Sequence, residues 1–247
     1  MIYILLPCYN EYKNLIFIIY KLNQLLKKKF LKIKLIIVND GSTDETDVKI
    51  KQLRKRSLNK IIYIRHKKNQ GLNMSLFSGF KYFLDNGKSK DIIITLDSDN
   101  THPISLIPKI INTIIEKKYD MVIASRFQKG AKITGLNFFR KVLSEGARSI
   151  YKLSFSIKNV EDYTCNYRGY TYDIIKKSRL IKKHFFVGKD FSLVADLLIN
   201  LNSKISNIKI KEVPLNLRYD FKIGESKLKV TRNIFKTLLV ILRNILN

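Results

Sequence analysis

The sequence predicts an α/β protein whose mainly parallel central sheet is covered by helices on both faces. Short β-branched apolar runs, such as Ile33–Val38 and Asp91–Leu96, alternate with longer segments whose apolar residues recur at helical spacing. Strands separated by helices run parallel and are buried on both sides. The 247 residues, 45% apolar with 13 Tyr and 14 Phe, suffice for the core of one such domain and exclude a disordered chain. That domain is expected over residues 1–229, with 230–247 set apart as a basic amphipathic helix.

Ile2–Leu6 is an apolar strand, and Tyr12–Lys28 carries Leu15, Ile18, Ile19, Leu22, Leu25 and Leu26 on one helical face. Ile33–Val38 closes a first βαβ unit. Thr43-Asp44-Glu45 caps and charges a second helix running to Arg56, followed by strand Ile61–Ile64 and helix Leu72–Leu84. Asp91–Leu96 is the next strand, Ser105–Lys117 a helix started after Pro103, and Asp120–Ala124 a strand. Beyond Ser125 the pattern loosens. Arg126–Asn137 reads as a basic Gly-bearing loop, Phe138–Leu153 as a helix, Tyr167–Tyr172 as a strand, Phe191–Leu201 as a helix and Ile205–Leu217 as one long alternating strand.

Lys plus Arg number 47 against 20 Asp plus Glu, a net charge of +27. Such a field suits nucleic acid, an anionic membrane face or phosphorylated substrates, but no aromatic RNA platform or recognition-helix motif accompanies it. Cys8 and Cys165 lack CxxC or His partners at metal spacing, so neither a zinc site nor a disulfide framework is expected, and a reducing cytosol fits. The opening MIYILLPCYNE lacks a basic n-region and a small-residue cleavage site, and it reads as the first strand rather than a signal peptide.

The chemistry-bearing segments follow strand ends. Asp97-Ser98-Asp99 ends the Asp91–Leu96 run, and two carboxylates flanking one small residue suit a hard divalent cation shared with a substrate diphosphate. Alone, the pair is more often only a solvated acidic turn. Pro7-Cys8-Tyr9-Asn10-Glu11 follows the first strand and Asn39-Asp40-Gly41-Ser42-Thr43-Asp44 the second, so all three loops face one crevice at the carboxyl edge of the sheet. Asp40 can accept from a base N–H or a ribose hydroxyl, and Gly41 permits close backbone approach. Neither GxGxxG nor a P-loop is present.

PCYNE, VNDGSTDET, LDSDNTHP, ASRFQKGA, Arg140-x3-Ser144, the segment Asp162–Arg168 (DYTCNYR) and the terminal Glu212-Val-Pro … Gly224-Glu-Ser-Lys227 occur in one order. That order resembles the inverting family 2 glycosyltransferases, in particular the dolichol-phosphate mannose synthase branch and its bacterial polyprenyl-phosphate hexose transferase relatives, from residue 4 to about residue 230. The resemblance implies a Rossmann-like GT-A fold and transfer of one hexose from a nucleoside-diphosphate sugar to a polyprenyl phosphate with inversion, assisted by Mg²⁺ or Mn²⁺. Carried over by position, Pro7, Tyr9, Glu11 and Asp40 match nucleoside-binding residues. Asp97 and Asp99 match the metal- and diphosphate-binding pair, with Thr101 beside them. Arg126, Arg140 and Ser144 match the grip on the acceptor phosphate, where arginine forks and a hydroxyl suit phosphate. Ser226 and Lys227 match the segment that closes over the donor.

Three departures stand out. Thr101 replaces a frequent Gln, and Asn39 replaces a frequent Asp. The Arg usually found just ahead of the closing segment is represented by Arg218 farther upstream or Lys222 nearer, so either cation fits the donor diphosphate. Asp190 and Asp196 lie where other glycosyltransferases carry a base, but the opening of a helix, with Asp196 turned outward, explains them.

Val230–Asn247 carries an apolar stripe interleaved with Arg232, Lys236 and Arg243. It suits either the headgroup plane of a membrane or packing on the domain. These features place the protein peripherally on the cytoplasmic face of a membrane. A family 2 transferase extending a surface glycan on a sugar hydroxyl, a nucleic-acid-binding protein and a nucleotide-sugar sensor are the competing readings.

Overall fold

A computed structural model describes residues 1–29, 32–57, 60–179 and 193–223. The elements run β1 (Ile2–Cys8), α1 (Tyr12–Lys29), β2 (Ile33–Asn39), α2 (Thr46–Arg56), β3 (Lys60–Arg65), α3 (Leu72–Asn86) and β4 (Ile92–Thr95). After a 3₁₀ turn at Ile104–Leu106 come α4 (Ile107–Ile115), β5 (Met121–Ser125), β6 (Lys132–Thr134), α5 (Phe138–Phe155) and β7 (Arg168–Thr171). The series ends with α6 (Tyr172–Ser178), α7 (Leu193–Lys204), β8 (Ile210–Pro214), β9 (Asn216–Arg218) and a 3₁₀ turn at Tyr219–Phe221.

Seven strands form the main sheet in the order β3-β2-β1-β4-β7-β5-β8, and β6 pairs with β9 in a small second sheet. All main-sheet pairings are parallel except those of β7, which lies antiparallel between β4 and β5. Alternation along β1 sorts the core. Tyr3 and Leu5 join Phe80, Phe83 and the α7 residues on one face, while Ile2, Ile4 and Leu6 join Leu15, Ile18, Leu22 and the α4 isoleucines on the other. Leu15, Ile18, Ile19 and Leu22 are almost fully buried, each contributing about 1.5–3 kcal/mol, so α1 is held by its apolar stripe. Gly169 lets α4 close on β7: an added Cβ there would sit 2.5 Å from Ile110 and 2.9 Å from Ile114.

The structure refines four expectations. Helix α2 starts at Thr46, because Asp44 Oδ1 accepts the Thr46 N–H at 2.9 Å and holds 43–45 outside the helix. The basic 126–137 loop contains β6. Strand β7 ends at Thr171, whose hydroxyl caps α6 by accepting the Ile174 N–H. The expected Ile205–Leu217 strand begins only at Ile210, after a turn at 205–207, and is two strands that meet at Leu215, whose N–H donates to Ser125 and whose carbonyl accepts from Lys132. Leu215 thereby turns the chain from the main sheet to the small one. The 230–247 helix, and with it the proposed division at residue 229, lies outside the described residues. Among the described residues no helix is long and apolar enough to cross a membrane.

Candidate functional site

The carboxyl ends of β1, β2 and β4 deliver three loops to one crevice, and side chains stitch the loops together. Ser98, buried between the two acids, donates to the Pro7 carbonyl at 2.8 Å. Asn10, in the left-handed region at φ 54°, accepts the Thr43 N–H at 2.9 Å, and its own N–H donates to Ser42 at 3.0 Å. The Glu11 N–H donates to the Thr46 hydroxyl at 3.1 Å, and Glu11 Oε2 accepts from Asn14 at 2.7 Å. Tyr9 and Glu11 are half-buried at the crevice and Pro7 is buried.

Asp40 is turned into the protein. Its carboxylate accepts the Gln70 and Gly71 N–H groups at 2.9 and 2.7 Å and meets His66 Nδ1 at 2.7 Å. Its two oxygens therefore fix the 66–71 loop and the start of α3, and any nucleoside contact must use their remaining lone pairs. Gly41 is required beside it. At φ +67° an added Cβ would lie 2.5 Å from the Lys68 carbonyl carbon, so this loop closes only around a glycine. Asn39 accepts from Ser42 N–H and donates to Tyr63, making it a brace rather than a crevice group.

The two acids have different surroundings. Asp97, one-third exposed, accepts from Asn166 Nδ2 at 3.0 Å. Its N–H donates to His102 Nδ1 at 3.1 Å, so the neutral ring carries its proton on Nε2, 4.0 Å from Asp97 Oδ2. Asp99 accepts the Thr101 hydroxyl at Oδ1 and the Lys222 ammonium at Oδ2, both at 2.7 Å. Burial opposes its charge, but the Lys222 ammonium and the Thr101 hydroxyl outweigh burial and hold the carboxyl below its usual range. Thr101 is buried and spends its hydroxyl on Asp99, so it orients that acid. Arg218 pairs with Asp220 at 2.7 Å and lies 3.8 Å over the Phe221 ring, so among the described residues it is Lys222 that reaches Asp99.

Arg126 extends from the end of β5. It donates from Nε and Nη2 to Asp162 and from Nη2 to Thr164, and among the described residues Nη1 has no acceptor. Arg126 and Arg148 of α5 stack on the same ring, Phe127, at 5.3 and 4.8 Å, bringing α5 beside Arg126. Arg140 and Ser144 stand one turn apart on that helix. Ser144 Oγ is buried without a hydrogen-bond partner among the described residues. The half-buried Tyr219 phenol lies within electrostatic reach of Arg126 on one side and of Asp97, Asp99 and Lys222 on the other. Burial, Asp99 and Asp97 push its pKa up, while Arg126 and Lys222 pull it down. Ser226, Lys227 and Asp190 lie outside the described residues, and Asp196 is buried in α7 rather than turned outward.

Sequence reasoning missed Asn166 and understated Lys222. Asn166 sits at the amino end of β7, and because β7 runs antiparallel to β4 that end falls beside the carboxyl end of β4. No spacing rule announces it. Cys165 offers no nucleophile, since burial and Asp162 push its thiol up to about 12. Among the described residues no group of three His, Cys, Asp or Glu side chains could cage a metal. Two carboxylates suffice for a cation completed by substrate phosphates, and the ammonium on Asp99 marks a place already suited to positive charge.

Residues 3–180 match the model of Glycosyl transferase family 2. A dolichol-phosphate mannosyltransferase of Pyrococcus furiosus is 30% identical over 227 residues, which cover 92% of this chain and 58% of that protein. An undecaprenyl-phosphate 4-deoxy-4-formamido-L-arabinose transferase of Photorhabdus laumondii is 28% identical over 173 residues, 70% of this chain and 50% of that one. The chain thus spans 58% of the length of the first relative and half of the second. Glucosyl-3-phosphoglycerate synthase from Mycobacterium tuberculosis, solved with Mn²⁺, uridine diphosphate and glucosyl-3-phosphoglycerate, superposes with a TM-score of 0.61 at 18% identity, covering 98% of this chain and 79% of that one. That likeness shows the fold, which is GT-A.

Proposed function

This chain belongs to glycosyl transferase family 2, and from that membership we propose that it moves one hexose from a nucleoside-diphosphate sugar to a polyprenyl phosphate with inversion. The observation that carries the acceptor is the pair Arg140 and Ser144. A half-buried guanidinium and a buried, unpartnered hydroxyl face the same way on α5, four residues apart. An orphaned hydroxyl costs stability until it finds an acceptor, and phosphate oxygens supply one. The relatives named for dolichol phosphate and undecaprenyl phosphate support the same acceptor class.

Asp97 and Asp99 would hold Mg²⁺ or Mn²⁺, which offsets the negative charge that develops on the departing diphosphate. Asn166, His102 and Thr101 keep those two carboxylates oriented for the task. The crevice formed by Pro7, Tyr9, Glu11 and the Asp40 loop takes the nucleoside. Lipid phosphate is already anionic at neutral pH, so it needs positioning rather than a general base. Arg126 Nη1, Arg140 and Ser144 supply that positioning.

The same helix suggests where the acceptor comes from. Phe139, Val142, Ile150 and Leu153 recur on one stripe of α5, and Phe138 stands beside it. All five are exposed, Phe138 at 81% and Leu153 at 85%. Lys141 and Lys152 flank them, and the chain carries +27 overall. An apolar stripe rimmed by cations suits an anionic bilayer surface, in keeping with peripheral attachment at a cytoplasmic membrane face.

The test offers purified protein GDP-mannose or UDP-glucose, with Mn²⁺, against polyprenyl phosphate and against free sugar acceptors. Formation of a glycosyl phospholipid from one donor is expected. Efficient glycosylation of a sugar hydroxyl with polyprenyl phosphate ignored would overturn the acceptor in favour of a glycan-extending enzyme.

A further inference from the structure

We infer that Lys222 is a resident counter-cation of the acid pair, which a divalent metal must displace from Asp99 in order to bind. The inference rests on the reading above for the metal itself, and goes beyond it in assigning a competitor inside the protein.

The ammonium and the carboxylate are held together out of water. Lys222 Nζ lies 2.7 Å from Asp99 Oδ2, with side-chain exposures of 14% and 16%, so the attraction is little screened. The lysine therefore sets its ammonium directly against one of the two acids.

Its backbone is fixed on both sides. The Phe221 carbonyl accepts from Asn100 Nδ2 at 3.2 Å. The Ile223 N–H donates to Asn14 Oδ1 at 3.2 Å, and the Ile223 carbonyl accepts from Asn14 Nδ2 at 3.1 Å. Asn14 is itself 1% exposed and anchored to Glu11. Farther upstream the Arg218 N–H donates to the Thr101 carbonyl at 3.0 Å. Residues 218–223 thus form a strap pinned to α1 and to the Asp97–Thr101 loop. The lysine is delivered to Asp99 by that strap rather than sweeping freely through solvent.

An ammonium and a divalent cation cannot both sit at contact distance from Oδ2, because like charges repel strongly in a site of low exposure. Metal entry then requires Nζ to move, and a donor diphosphate gives the displaced ammonium a new anionic partner. Metal and nucleotide should therefore raise each other's affinity, and by linkage the coupling is reciprocal.

The test measures Mn²⁺ binding by titration calorimetry without nucleotide, on the full chain and on Lys222→Met, Lys222→Arg and Asp99→Asn, with circular dichroism to establish that each is folded. Removing the competing charge in Lys222→Met should tighten Mn²⁺ binding by roughly tenfold, the scale of one charged hydrogen bond. Lys222→Arg, which keeps the charge, should stay near the wild type, and Asp99→Asn should abolish binding. Binding that Asp99→Asn abolishes but Lys222→Met leaves unchanged or weaker overturns the inference while sparing the metal reading. No binding by any variant, with or without GDP or UDP, overturns both.

Discussion

Arg126 grips Asp162 with two parallel bonds, Nε to Oδ2 at 2.8 Å and Nη2 to Oδ1 at 2.7 Å, and its own backbone N–H donates to the same carboxylate at 3.0 Å. Asp162 is fully buried and also takes the Cys165 N–H. Its N–H in turn donates to buried Glu212. The pair therefore serves two purposes. It fixes the turn that leads to Asn166, and it holds the Arg126 guanidinium in one orientation against Asp162 and Thr164.

Breaking that pair should be costly. Asp162→Asn leaves a largely buried guanidinium without its counter-charge, a loss of about 3–5 kcal/mol, or about 2–4 °C of Tm per kcal/mol for a chain of this size. Burial opposes the Asp162 charge, but Arg126 and the N–H donors outweigh it, so the folded carboxyl lies below the ordinary 3.8. A depressed folded value means the stabilisation is complete above about pH 3.8 and is lost as pH falls through the lower folded value. Thermal melts should show wild type losing stability over that acid range and Asp162→Asn losing less of it. Superimposable acid profiles would refute the coupling.

Asn166→Ala tests the support of the acid pair. Without its amide, Asp97 keeps His102 near but loses its fixed Oδ1 contact. Transfer should fall by about tenfold, corresponding to about 1.4 kcal/mol in the barrier, with Tm nearly unchanged because Asp97 is one-third exposed and water can replace the bond. Wild-type turnover would mean that Asp97 holds its position unaided.

What was legible in the sequence follows from the range of the forces involved. Strands β1, β2 and β4 are apolar runs buried on both faces, and α1 is an apolar stripe, so local pattern determines them. The crevice followed, because parallel strands bring their carboxyl ends together and Asp97 and Asp99 lie at one such end. Illegible were contacts between residues far apart in the chain: Asn166 with Asp97 across 69 positions, and Lys222 with Asp99 across 123. The antiparallel insertion of β7 was equally hidden, since four residues, Arg-Gly-Tyr-Thr, carry no sign of direction. Spacing could nominate both Arg218 and Lys222. Only the turn at Tyr219–Phe221, which ties Arg218 to Asp220, separated them.

If Arg140 and Ser144 hold the acceptor phosphate, they yield a graded pair of variants. Arg140→Ala removes a charged contact worth about 1.5–3 kcal/mol, so transfer to polyprenyl phosphate should slow by about tenfold to a hundredfold. Ser144→Ala removes a neutral one, worth about 0.5–1.5 kcal/mol, and should slow transfer less while sparing or slightly raising stability, since a buried unpartnered hydroxyl is lost. Nucleotide binding should persist in both. Equal transfer rates in wild type and the double variant would remove α5 from the acceptor site.

The exposed stripe of α5 makes the last prediction, and it separates a surface for lipid from a face that is merely uncovered. Phe138 and Phe139 are 81% and 65% exposed, so replacing both with Ser removes little packing and should change stability by no more than about 0.5 kcal/mol. If the rings enter a bilayer, each contributes up to about 1.5–3 kcal/mol there. The double variant should then bind anionic vesicles at least about tenfold more weakly. Salt should weaken the residual binding further by screening the charge of +27, whereas the apolar part should resist salt. Vesicle flotation at low and high ionic strength reads both terms. Undiminished flotation of Phe138→Ser/Phe139→Ser at high salt would exclude α5 as the membrane-facing surface.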